Sequence, residues 1–129
     1  MRQRPLSPHL GIYRFAYTMA TSIAHRATGL VLSAGFALLT YGLVAIANGP
    51  EAYAVAQLVF VHPLVKVLLV GWLLAFCYHL FNGLRHVNWD FARGLEKPEA
   101  RRSAGYVVVA TLLLFVVLAA LVFSRGGAA

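Results

Sequence analysis

Apolar residues run along this chain in three long stretches separated by short polar ones. Ala27 to Ala47 contains no charged residue over 21 positions. At about 1.5 Å per residue, a helix of that length spans about 31 Å, enough for the hydrocarbon core of a bilayer. The helix is expected to begin near Thr21 or Ser22. Asn48-Gly49-Pro50 stops it, because Gly and Pro both interrupt helices. Leu64 to Leu84 is a second apolar run, with Lys66, His79 and Asn82 as its only strongly polar members. Ala104 to Phe123 is a third, with no charge at all. The pattern predicts an all-α membrane protein with three transmembrane helices, over about residues 22–47, 63–86 and 104–123. A loop from Asn48 to Val61 and a second, basic loop join them.

Composition agrees. The 129 residues are 60% hydrophobic and 12% charged, where soluble domains are roughly half apolar and a quarter charged. Three spans of about 20 residues leave too little chain for a separate soluble core, so one domain is expected. The lone Cys77 forms no intrachain disulfide and reads as a small buried hydrophobe. Residues 1–14 hold three Arg, but the apolar run that follows is too long for a signal core, so no cleavable signal is expected.

Charge adds an orientation. The formal net charge is +7. The basic residues flank the apolar runs and form no aromatic-interleaved stripe, which points to a membrane surface and not to nucleic acid. Arg2, Arg4, Arg14 and Arg26 precede or open the first span. Arg85, Arg93, Lys97, Arg101 and Arg102 end the second or lie before the third, while Lys66 and Arg125 fall on the other side. Nine of the eleven basic residues therefore share one side. The positive-inside rule places the N-terminus and second loop in the cytoplasm or a matrix.

Among the polar residues inside the spans, His79 is the most informative. It lies six residues before Arg85, about 9 Å inside the membrane edge if Arg85 marks that edge. An ionisable side chain at that depth is a functional candidate. Ala75 and Gly83, four residues away on either side, share its helix face and leave room for a flat macrocycle. Imidazole is a common axial ligand of haem iron, and the competing reading is a histidine that packs helices through a carbonyl. His86 lies near the same face but is badly placed to ligate the same iron. It suits either haem carboxylates at the interface or plain solvation.

A second cluster opens the first span. Ser22 and Arg26 are four residues apart, as are His25 and Gly29. A guanidinium pairs with carboxylates, and a hydroxyl beside a cation can hold a quinone carbonyl. The alternative is a helix N-cap at Ser22 followed by a snorkelling Arg26. Asp90 is positioned to pair with Arg85 or Arg93, and Trp89 to anchor at the interface. His9 and His62 have no neighbours that suggest chemistry. Trp72 and the tyrosines read as packing or belt residues. No nucleophile triad, paired carboxylates, zinc spacing or phosphate loop is present. The four acids all lie outside the spans, which argues against a proton-coupled transporter.

Two segments carry a family resemblance. Arg4-Pro5-Leu6-Ser7-Pro8-His9-Leu10, with Ser22-Ile23-Ala24-His25-Arg26-Ala27-Thr28-Gly29, resembles the first signature of the succinate dehydrogenase cytochrome b subunit. His79-Leu80-Phe81-Asn82-Gly83-Leu84-Arg85-His86-Val87-Asn88-Trp89-Asp90 resembles the second. The three-span layout extends the resemblance over essentially the whole chain. It implies that His79 is an axial ligand of haem b and that Ser22 and Arg26 bind quinone. It also implies that His25 and Arg26 lie near the haem propionates, in a pocket that includes Gly83 and His86. A smaller membrane-anchor subunit would supply the second axial histidine and complete the helical bundle. An iron–sulfur subunit and a flavoprotein subunit carrying FAD would dock on the cytoplasmic face, where succinate is oxidised outside this chain. The implied location is an inner, cytoplasmic membrane, bacterial in preference to mitochondrial.

Two other readings stay open. The same layout serves a fumarate reductase anchor working in reverse. A helical scaffold in which His79 merely packs belongs to a different class altogether. A two-haem anchor in one chain would need four buried histidines, which this sequence lacks.

Overall fold

The computed structural model describes residues 17–126, and side chains as far as Ser124. Arg2, Arg4, Arg14, His9 and the Arg4-to-Leu10 segment lie outside the described residues, as does the Arg125 side chain. Four helices follow in order: α1 (Tyr17–Ala47), α2 (Pro50–Val61), α3 (Pro63–Asp90) and α4 (Lys97–Gly126). Three are long and apolar enough to cross a membrane: α1, α3 and the Lys97–Ser124 part of α4.

The helix ends differ from the expected spans in instructive ways. α1 is already helical at Tyr17, so Ser22 sits inside the helix and the N-cap reading of it falls away. α4 begins at Lys97, about two turns before the apolar run, because Glu99 and the basic residues that follow form helix as readily as apolar ones. The Asn48–Val61 segment is a helix where a loop was expected. Gly49 takes a positive φ of 98°, Pro50 starts α2, and the Gly49 carbonyl accepts from Tyr53 N–H at 3.0 Å. Twelve residues make a helix of about 18 Å, too short to cross. α2 folds back on α1, with Phe60 against Gly42 and Ala56 fully buried. His62 is extended, as a residue before proline should be, and its Nδ1 accepts from the Leu64 N–H at 3.3 Å, capping α3.

α3 is the central helix and packs against both α1 and α4. The α1–α3 seam closes through small residues. Trp72 lies in the notch left by Gly35 and donates its indole N–H to the Leu32 carbonyl at 3.3 Å, with Phe36 edge-on to its ring. Tyr78 donates its hydroxyl to the Thr21 carbonyl at 2.9 Å. Cys77 is fully buried. A tight turn after α3 is fixed by side chains: Trp89 donates to the Gly94 carbonyl at 2.9 Å and Asn88 to that of Arg93 at 3.1 Å. Ala92 and Gly94 both take positive φ there. Large apolar side chains face outward along the spans, Leu30 and Leu113 among them, as expected where lipid or partner helices replace water.

A methyl group added at Gly35 would overlap the Trp72 indole, whereas one at Gly71 meets nothing within 4 Å. Overpacking of this kind costs about 1–3 kcal/mol. Gly35→Ala should therefore lower the thermal midpoint of the detergent-solubilised protein, while Gly71→Ala leaves it close to wild type. Differential scanning fluorimetry of the two variants checks this, and equal midpoints would contradict the notch.

Candidate histidine and arginine site

The site forms where α1 and α3 come closest. Gly29 lacks a Cβ that would stand 3.2 Å from His79 Cε1, so the imidazole lies directly against the α1 backbone. His79 Nδ1 is 3.2 Å from the His25 carbonyl oxygen and 3.2 Å from Thr28 Oγ1. A carbonyl only accepts, so Nδ1 must carry the proton and donate it. The neutral ring then keeps its lone pair on Nε2. Nε2 makes no hydrogen bond among the described residues and is not one of the fully enclosed polar atoms. The Thr28 hydroxyl donates to the Ala24 or His25 carbonyl, both at 2.9 Å, leaving a lone pair for His79.

Three imidazoles gather here. His25 stacks on His79 with centroids 3.9 Å apart and planes 14° from parallel. His86 lies 5.0 Å from His25, and Trp89 meets His86 edge-on at 5.0 Å. Gly83 borders the His25 ring at 3.8 Å. His25 Nδ1 is buried without a partner. Among the described residues, no three His, Cys, Asp or Glu side chains converge on a bare-metal position. The arrangement is a stack of rings in which His79 Nδ1 is engaged and Nε2 is not, and it is not a chelate.

The structure thus brings His25, His79, His86, Gly29 and Gly83 together. Ser22 stands about one turn before His25 on α1 and is half-buried, while Arg26 directly follows His25 and is exposed. Neither side chain is hydrogen-bonded among the described residues, so both keep their donors free.

Arg85 is enclosed by protein: it is only 6% exposed, and α3 runs on to Asp90. Its Nε donates to Ser103 Oγ at 3.0 Å and its Nη2 to the Ala100 carbonyl at 2.9 Å, both on α4. Its Nη1 donates to Thr21 Oγ1 of α1 and to Asn82 Oδ1, each at 3.3 Å. The guanidinium lies 4.0 Å above the Trp89 ring. The expected pairing of Arg85 with Asp90 is not formed, since these donors go to three helices instead. Sequence reasoning missed Thr28, Thr21 and Ser103. A short hydroxyl side chain in an apolar run gives no one-dimensional signal of its cross-helix partner.

Comparison with known proteins shows the family. Residues 1–119 match the family described as succinate dehydrogenase/fumarate reductase transmembrane subunit. The succinate dehydrogenase cytochrome b556 subunit of Paracoccus denitrificans is 45% identical over 118 residues, covering 88% of this chain and 91% of that protein. The mitochondrial succinate dehydrogenase cytochrome b560 subunit of Sus scrofa is 38% identical over 120 residues, covering 92% of this chain and 71% of the relative. The cytochrome b556 subunit of Rickettsia typhi is 34% identical over 116 residues, covering 90% of each.

Removing the Arg85 head group strands buried oxygens on Thr21, Asn82 and Ser103. Breaking a buried polar network of this kind costs on the order of 3 kcal/mol. Arg85→Met should shorten the survival of the solubilised protein at elevated temperature far more than Lys66→Met, whose side chain is exposed. Arg85→Lys should rescue only in part, because an ammonium lacks the planar fork that reaches two helices at once. Indistinguishable decay of Arg85→Met and Lys66→Met would show that the network carries no stability.

Proposed function

The chain belongs to the succinate dehydrogenase/fumarate reductase transmembrane subunit family, and on that premise we propose that it supplies one axial ligand of a haem b and one side of a quinone site. His79 is the ligand. The observation that carries this reading is His79 Nδ1 at 3.2 Å from both the His25 carbonyl oxygen and Thr28 Oγ1, an arrangement that assigns the proton to Nδ1 and the lone pair to Nε2. Metal-bound histidines characteristically donate their other nitrogen in this way. The unpaired nitrogen of His25 also fits a group with charged edges. Haem b, when bound, supplies a one-electron carrier within the bilayer.

This chain's own residues do the rest of the work assigned here. His79 holds iron through Nε2 and keeps its proton on Nδ1. His25, Arg26 and His86 meet the haem carboxylates, with Gly83 giving the His25 ring its space. Ser22 donates its hydroxyl to a quinone carbonyl, and Arg26 stabilises the negative charge that develops on that oxygen during reduction. The family resemblance assigns the second axial histidine to a smaller membrane-anchor subunit. Iron–sulfur and FAD-bearing flavoprotein subunits complete the complex on the basic face, which the charge distribution orients to the cytoplasm. The membrane is then the inner, cytoplasmic membrane of a bacterium. The relatives' names are those of succinate dehydrogenase subunits, which favours succinate oxidation over fumarate reduction.

The test uses the complex purified through this chain. Wild type should show a reduced b-type absorption band that His79→Ala abolishes while the subunits still co-purify. An assembled His79→Ala complex with an unchanged band would overturn the ligand assignment. Ser22→Ala and Arg26→Ala should each lower quinone reduction at least tenfold while sparing succinate oxidation with a soluble dye. Equal losses in both assays would remove the quinone role.

A further inference from the structure

We infer that Thr28 is a positioning residue for His79, one that sets the electron-donating strength of its imidazole and thereby the reduction potential of the iron it holds. This rests on the haem-ligand reading of His79 and deepens it. Nδ1 of His79 faces two acceptors at 3.2 Å, the His25 carbonyl and Thr28 Oγ1. The carbonyl is already engaged as part of the α1 ladder and lies 2.9 Å from the Thr28 hydroxyl. Thr28 Oγ1 is less encumbered. Its single hydrogen is absorbed by α1 carbonyls, at 2.9 Å from both Ala24 and His25. A lone pair is therefore left pointing across the seam to α3. Thr28 passes backbone polarity of α1 onto a side chain of α3.

Two consequences follow from elementary chemistry. A stronger acceptor at Nδ1–H pushes electron density toward Nε2, which stabilises ferric over ferrous iron and lowers the potential. The same bond fixes the rotation of the imidazole about its Cβ–Cγ bond. His25, stacked at 3.9 Å on the ring face, restricts that rotation further. Thr28 touches neither iron nor quinone in this arrangement, and acts only through His79.

Thr28→Val removes the hydroxyl at nearly constant shape, and Thr28→Ser restores it without the methyl group. In a potentiometric titration of the purified complex, Thr28→Val should retain the b-type band but shift its midpoint upward. The reduced-to-oxidised ratio at fixed potential should rise between threefold and tenfold. Thr28→Ser should titrate close to wild type. A merely structural role would not produce this pattern, since loss of packing would affect Thr28→Ser, which lacks the methyl group, and spare Thr28→Val. Loss of haem from Thr28→Val alone, with full retention in Thr28→Ser, would equally support the hydroxyl's role. A Thr28→Val midpoint equal to wild type, or a Thr28→Ser shift as large as that of Thr28→Val, would overturn the inference. Absence of any b-type band from the assembled wild-type complex would instead overturn the haem reading, and this inference with it.

Discussion

A guanidinium buried among three helices is the constraint on which the rest of this structure depends. Arg85 is charged, almost fully enclosed, and committed to Thr21, Asn82, Ser103 and the Ala100 carbonyl. An enclosed pocket offers no bulk water to replace those partners, so each oxygen must be in place for the charge to be tolerated. That requirement draws the start of α1 and the start of α4 onto the end of α3. The Tyr78 hydroxyl on the Thr21 carbonyl holds the same junction one turn deeper. With α1 pinned at Thr21, the next turns of that helix are delivered against His79.

The pinned helices divide into two flanks. Ala24, Thr28 and Val31 of α1 share an apolar groove with Trp72 and Ala75 of α3 and Thr111 of α4. Ser22, Arg26 and Gly29 stand on the other side of α1 by helical spacing. The stacked His25 and His79 rings, and His86 beyond them, lie at the seam between α1 and α3. α4 thus closes one flank through Arg85, and Ser22 and Arg26 keep uncommitted donors on the other face of α1. The chain belongs to a family of transmembrane subunits of succinate dehydrogenase and fumarate reductase.

Much of this was legible in the sequence, because in a bilayer hydropathy dictates structure almost directly. The three spans followed from hydropathy. The glycine against His79 did not: spacing placed Ala75 and Gly83 beside that ring, whereas the one in contact is Gly29 of α1. The α2 helix was not legible, because Gly49-Pro50 and His62-Pro63 punctuate a stretch too short to cross. Punctuation marks the ends of a loop and of a short helix alike. The enclosure of Arg85 was not legible, because a basic residue near the end of a span ordinarily reports topology alone. Only the three-dimensional convergence of Thr21, Asn82 and Ser103 shows that its guanidinium lies between helices. Ser22 illustrates the converse: once α1 extends back to Tyr17, its N-cap reading disappears and a free hydroxyl remains on the helix.

The central claim is that Nε2 of His79 is an iron ligand because Nδ1 is held as a donor. An electron cryomicroscopy structure of the whole complex, purified through this chain, tests it most directly. The account predicts haem density bridging His79 Nε2 and a histidine of a partner chain, with Nδ1 within hydrogen-bond reach of Thr28 and the His25 carbonyl. A map in which His79 Nε2 donates to a protein carbonyl, with no macrocycle beside it, would contradict it.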